Sequence, residues 1–310
     1  MGHSIFDGKL TNTAMVNGRL EELTDEFLLQ TDAYEQAPRF YEVIRVIDGI
    51  PLFFEDHLLR LQKSISTADS FSDEALAGLG KSVNEYIFSE GLTEGNIKLV
   101  VSMGDSFVFR SAHYYPPESS YLGGVKVGIF RTTRHNPNVK ILLDDYKARV
   151  ARAIEEGDGS GPYFEVLLAS QASLSDQGDP SLETDPAKAV PDHFSSEYIT
   201  EGSRSNAFFV KDGKIWTAPD DLILKGITRK YILEAISNAG FEVTYKPVKV
   251  EEFGKEVQGG FLSGTSIGVL PIASVDAIKL NSAEDDIVKK IRTEYLLLVN
   301  RYLNDHLDRV

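Results

Sequence analysis

The chain has 310 residues, 42% of them hydrophobic and 25% charged, with no cysteine and a formal net charge of −15. That makeup is ordinary for a globular protein, and the length suggests two domains that bury their apolar surface without a covalent staple. The lack of cysteine excludes disulfides, thiol catalysis and thiolate metal sites, and it fits a reducing, cytoplasmic compartment. The acidity, with no Lys/Arg cluster to neutralise phosphates, argues against a nucleic-acid partner.

No basic stretch followed by an apolar run opens the chain, and no segment is apolar for long enough to span a bilayer. Neither a signal peptide nor a membrane partner is expected. Residues 40–47 are rich in β-branched and aromatic side chains and predict a strand, paired across Asp48-Gly49 with a second strand at 50–54. Leu58, Leu61 and Ile65 share one face of a helix expected from 55 to about 68. Ser72-Asp73 caps a second helix running to about 89, and residues 97–103 and 107–110 read as another hairpin. The stretch 114–120 carries Pro116-Pro117, breaks the periodicity and reads as the interdomain linker. Beyond it come a strand at 125–130, a helix at 144–156 and a strand at 163–169. Residues 171–193 are polar, contain three prolines and read as a long surface loop. A hairpin follows across Asp212-Gly213, then a helix over 228–239, strands at 261–262 and 267–270, and a last helix over 285–304. The class is α+β, with domains expected at 1–119 and 120–310.

Two familiar motifs fail on context. Gly80-Lys81-Ser82 ends like a phosphate-binding loop, but Ala75 stands where the first glycine belongs and the segment is helical in pattern. Gly264-Thr265-Ser266-Ile267-Gly268 matches the serine-hydrolase elbow, yet a strand-like segment follows it where that motif needs a helix. There is no H-E-x-x-H, the six histidines are scattered, and no metal is expected; His57 falls on the polar side of its helix and reads as structural. What remains is a set of small-residue turns and isolated cations: Arg60, Glu201 to Asn206, Leu224 to Arg229, and Ser263 to Ser266. A helix opening beside Thr228 exposes backbone N–H groups and a positive dipole end, and the Gly264-Thr265 turn adds further donors. Together they suggest a phosphate held between two turns.

These segments, in this order, resemble the fold-type IV (class IV) pyridoxal-phosphate enzymes: branched-chain aminotransferase, D-amino-acid aminotransferase and aminodeoxychorismate lyase. The resemblance rests on residues 41–46, 56–61, 136–140, 199–206, 224–229 and 261–265, and it spans about 41–302. It implies a two-domain fold with pyridoxal 5'-phosphate between the domains. It also implies that Lys140 forms the Schiff base and that Arg60, Ile227, Thr228, Gly264 and Thr265 hold the phosphate. Leu224 would pack on the pyridine ring, Glu201 would pair with the ring nitrogen, and Tyr41 would line the substrate side. Lys147 is the other lysine considered for the covalent role, and Arg110 a further candidate for a substrate carboxylate. The implied reaction is transamination between an amino acid and a 2-keto acid in a homodimer. The alternatives are a lyase on the same scaffold and a protein that only binds a phosphate ligand. Two departures from the family pattern are Leu143 and Asp144, where Asn and an aromatic or Arg are common, and the 171–193 insertion.

Overall fold

The computed structural model describes residues 4–65, 73–132, 144–170 and 196–307. Lys140 and the 136–139 segment before it, Leu143, Ser72 and the 171–193 insertion lie outside the described residues. The first half comprises β1 (Thr13–Val16), β2 (Arg19–Glu22), α1 (Asp25–Gln30), β3 (Phe40–Ile47), β4 (Ile50–Pro51), α2 (Phe54–Ile65), α3 (Asp73–Ser89), β5 (Glu94–Ser102) and β6 (Asp105–Ser111). Its strands form one sheet in the order β2-β1-β6-β5-β3-β4. Along β3, Glu42, Ile44 and Val46 are buried while Tyr41, Val43 and Arg45 are half-buried. This two-residue alternation turns the first set toward α2 and α3 and the second toward the other half of the molecule.

The second half comprises α4 (Glu118–Gly123), β7 (Val125–Arg131), α5 (Asp144–Glu156), β8 (Glu165–Ser170), β9 (Tyr198–Gly202), β10 (Asn206–Lys211), β11 (Lys214–Thr217), α6 (Ile227–Asn238), β12 (Val243–Tyr245), β13 (Val248–Lys249), β14 (Val257–Gly264), β15 (Gly268–Val275), β16 (Ile278–Lys279) and α7 (Asp286–His306). Nine of its strands run β12-β11-β10-β14-β15-β7-β8-β9-β13, with β16 on β15. Only residues 203–205 join β9 to β10, although four other strands separate them in the sheet order, so the sheet curls until the two strands meet. Val127, Leu167, Leu262, Leu270 and Ile272 are among the residues that fill the inside of the curl. Helices α6 and α7 cover its outside over Phe208 and Phe261, with Ile232 of α6 and Ile291 of α7 in the same cluster. The expected α+β class is therefore what forms.

Several sequence expectations need correction. The strand expected at 50–54 stops at Pro51, which has no N–H for a longer ladder, and Phe53 takes φ 54° before α2 starts at Phe54. The stretch read as linker already contains the start of α4, with Pro117 as its N-cap residue. His57 is 3% exposed rather than on a polar face. The sequence reading also passed over the β1–β2 hairpin, whose Asn17-Gly18 turn has φ 49° and 77°. Among the described residues no helix is long and apolar enough to cross a membrane, and no cluster could hold a metal ion.

Phe53 joins the two halves. It follows the first sheet's edge hairpin, yet it lies in the α6–α7 core, stacked on Tyr231 at 3.4 Å between ring centroids and edge-on to Tyr302 at 5.2 Å. A left-handed φ is rare for a bulky residue and persists only where packing over-determines it. Phe53→Ala should lower unfolding free energy by about 3–5 kcal/mol in urea titration; a loss below about 1 kcal/mol would show that this joint is not fixed by the ring.

Candidate active site

The site begins with a charged residue in a core position. Glu42 shares the inward face of β3 with Ile44 and Val46 and is 2% exposed. A lone carboxylate there would be strongly penalised, and α2 supplies its partners one turn apart. His57 Nδ1 lies 2.7 Å from Oε2, Arg60 Nε donates to Oε1 at 2.7 Å, and a second Arg60 nitrogen donates to Oε2. Burial pushes the Glu42 carboxyl upward, but the hydrogen bonds and charges of His57 and Arg60 outweigh it and bring the group down to about 2. The remaining Arg60 nitrogen donates to the backbone oxygen of Lys225 at 2.9 Å, directly before α6. On the same helix, Asp56 takes Lys230 Nζ at 2.6 Å and the Tyr231 hydroxyl at 2.8 Å, so α2 and α6 are tied twice.

Helix α6 starts after Gly226, and no side chain caps it. Gly226 leaves room for the Asn206 amide oxygen, which a Cβ at that position would strike. Ile227 and Thr228 are both buried in the first turn. The Gly264–Gly268 turn approaches the first sheet from the other side: Thr265 Oγ1 donates to Val43 O at 3.5 Å, and Asn96 Nδ2 donates to Ser266 Oγ at 2.8 Å. Between these features stands Glu201, 3% exposed near the end of β9. Its Oε2 accepts the Leu224 N–H at 3.1 Å and the Asn206 amide at 3.4 Å, and that amide also donates to Leu224 O at 2.9 Å. Arg229, 2% exposed with its guanidinium over the Phe208 ring, adds a buried positive charge whose field Glu201 shares.

The structure thus brings Arg60, Glu201, Leu224, Ile227, Thr228, Gly264 and Thr265 to the seam between the two halves. Tyr41 is on the sheet face that turns to the same seam, since Asn96 shares that face and bonds Ser266. Lys98 lies there too, with its ammonium 5.2 Å from the Tyr41 ring centroid. Burial, then the nearby charges of Lys147 and Arg39, hold Lys98 down at about 8 against the opposing pull of Asp7. Arg110 is not brought to Tyr41: it pairs with Ile97 across the strands, so alternation directs it to the opposite face. The sequence reading gave no individual role to Glu42, Asn206 or Arg229, which lie inside the segments it singled out, and it passed over Lys98. For Glu42 the signal was available, as a carboxylate in step with Ile44 and Val46.

The coupling of Glu42 to α2 has a pH signature. Its carboxyl titrates near 4.5 when unperturbed and at about 2 in the fold, so the stabilisation is complete above about 4.5 and lost as pH falls from there toward about 2. The full effect is on the order of 3 kcal/mol. Glu42→Gln should therefore be markedly less stable than wild type near neutral pH in urea unfolding, and the difference should shrink as the pH is lowered through this window. A difference that does not change with pH would contradict the ion-pair account.

The Amino-transferase class IV family profile matches residues 39–147 and 192–275. A D-alanine aminotransferase of Listeria innocua serovar 6a is 26% identical over 275 residues, covering 86% of this chain and 88% of its own. The branched-chain amino acid aminotransferase of Escherichia coli superposes with a TM-score of 0.68 at 18% identity, covering 93% of this chain and 94% of that one. A hypothetical aminotransferase from Mycobacterium tuberculosis in its PLP-bound form gives 0.68 at 18% identity, covering 93% and 98%. With the profile matched over more than half its length, the chain belongs to the class IV aminotransferases, a pyridoxal-phosphate-dependent enzyme family.

Proposed function

We propose that the seam between the two halves, divided near 119/120, transfers an amino group between an amino acid and a 2-keto acid with pyridoxal 5'-phosphate as cofactor. The observation that carries this reading is Glu201: a buried carboxylate held by Leu224 N–H and Asn206, within a few residues of the helix start to which Arg60 is tied. The donor set fits the cofactor. A phosphate calls for unshared N–H donors and a fixed cation, and α6 opens without a capping side chain beside Arg60 and the Thr265 turn. A pyridine nitrogen calls for a carboxylate, and Glu201 is the one buried next to Leu224.

When bound, the cofactor supplies an electron sink for the charge left on the substrate's Cα. The chain's own groups do the rest. Arg60, the backbone of Ile227 and Thr228, and Gly264 with Thr265 hold the phosphate, while Leu224 packs on the ring. Glu201 keeps a proton on the ring nitrogen, because an adjacent negative charge raises that nitrogen's affinity for it. Lys140 would hold the cofactor covalently in the resting enzyme, and its amine, once displaced by the substrate's amino group, would carry the proton to and from the substrate's Cα. Tyr41 and the Lys98 ammonium line the substrate side, where a carboxylate meets positive charge. The functional unit is a homodimer, and the compartment cytoplasmic.

Borohydride treatment of the holoenzyme should fix the cofactor to the peptide containing Lys140. Label on Lys147 alone would overturn that assignment. Glu201→Gln should retain bound cofactor while its half-reaction with an accepted amino donor slows about a hundredfold, the equivalent of about two pKa units at the ring nitrogen. An unchanged half-reaction would remove Glu201 from the chemistry. In the same screen, release of pyruvate without amination of a keto acid would favour the lyase alternative.

A further inference from the structure

A second buried carboxylate stands behind the first. Glu165, at the start of β8, is 2% exposed, and burial pushes its carboxyl up against the counteracting Arg204 charge and serine hydrogen bonds. Its two oxygens are divided between two hydroxyls: Ser203 Oγ donates to Oε1 and Ser205 Oγ donates to Oε2 at 3.1 Å. Arg204, 67% exposed at the tip between them, has Nε 3.8 Å from Oε1. The three residues are the whole connection between β9 and β10. The backbone closes the same turn: Gly202 N–H donates to Ser205 O at 2.8 Å, and Ser203 N–H donates to Val166 O at 3.0 Å. Gly202 has no room for a Cβ, because the Ser205 hydroxyl that reaches Glu165 occupies that space.

An apolar side chain at 165 would fill the core as well and avoid the burial penalty on a carboxyl. What a carboxyl adds is two acceptors on one rigid plane, which fix both hydroxyls of the turn at once. The residues flanking that turn are Glu201 and Asn206, which contact each other and both bond the backbone of Leu224. We propose that Glu165 is a positioning residue for Glu201: it clamps the 202–205 turn through Ser203 and Ser205 and so fixes where the Glu201 carboxylate meets its partner. This rests on the aminotransferase reading for its consequence in rate, but the clamp itself is a property of the chain alone.

Glu165→Leu removes both acceptors, whereas Glu165→Gln keeps one and offers its N–H to the second hydroxyl. If Glu165 acts through Glu201, Glu165→Leu should slow the amino-donor half-reaction about tenfold or more, because small misplacements of a reacting group are expensive in rate. The same change made in the Glu201→Gln background should add little, and Glu165→Gln should recover most of the rate. Equal losses in both backgrounds would overturn the proposal, since a merely structural residue acts additively. The Ser203→Ala/Ser205→Ala double variant removes the same links without touching the core. It must reproduce the pattern should Glu165→Leu fail to fold. Amide hydrogen exchange on the cofactor-free protein separates this claim from the enzymatic one. Faster exchange confined to residues 198–208 in the double variant supports the clamp, even if no amino transfer is found in wild type. Unchanged exchange there rejects the clamp even if transfer is confirmed.

Discussion

The architecture of the site depends on one buried charge, the Glu42 carboxylate. It lies in the core face of a strand, where its desolvation is compensated by His57 and Arg60 on the next helix. A pair of this kind contributes little net stability over apolar packing, but removing one member leaves an uncompensated charge, at about 3–5 kcal/mol. Its value here is geometric. Arg60 has a planar fork of donors, and with one edge committed to Glu42 another points across the seam to Lys225 O. The helix that carries it is thereby locked to the sheet behind and to the start of α6 in front.

The seam is built by contributions from both halves that have no reason to meet except through such ties. Asp56 reaches α6, Phe53 enters the α6–α7 core, Asn96 reaches Ser266, and Thr265 reaches the backbone of Val43. Each residue proposed to meet the cofactor is in turn held by another: Arg60 by Glu42, Glu201 by Leu224 and Asn206, and the turn beside Glu201 by Glu165. Layered support of this kind keeps charged groups in place before a substrate arrives, so that they need not reorganise during reaction.

Much of this was legible in the sequence because local chemistry decided it. The helix at 144–156 and the Asp212-Gly213 hairpin follow from pattern alone, as do α6 and α7 within one or two residues at each end. The anchor segment 56–61 was recognised by its wording, and the structure gives the reason for it. Asp56 meets α6, His57 and Arg60 both meet Glu42 on β3, and Arg60 also meets Lys225 O ahead of α6, so their spacing is constrained from both sides at once. What was not legible is long-range. The structure seats Arg110 and Tyr41 on opposite faces because register fixes β6 against β5, and one sequence does not reveal register. Glu42 and Glu165 looked like ordinary strand residues, since their partners lie 15 to 40 positions away. A carboxylate in phase with the apolar residues of a strand is the sign that would have drawn attention to both.

The central claim is that the seam is an anion cup whose cation is preset by Glu42. The most direct test is a fluorescence titration of the cofactor-free protein with pyridoxal 5'-phosphate and with pyridoxal, which lacks the phosphate, for wild type and Arg60→Ala. Hydrogen bonds to a charged group are worth about 1.5–3 kcal/mol each, so wild type should prefer the phosphorylated form by at least about a hundredfold. The Arg60 variant should lose most of that preference while binding pyridoxal as before. Equal preference in the two proteins would contradict the account, because the phosphate would then be held by something other than the residue that Glu42 puts in place.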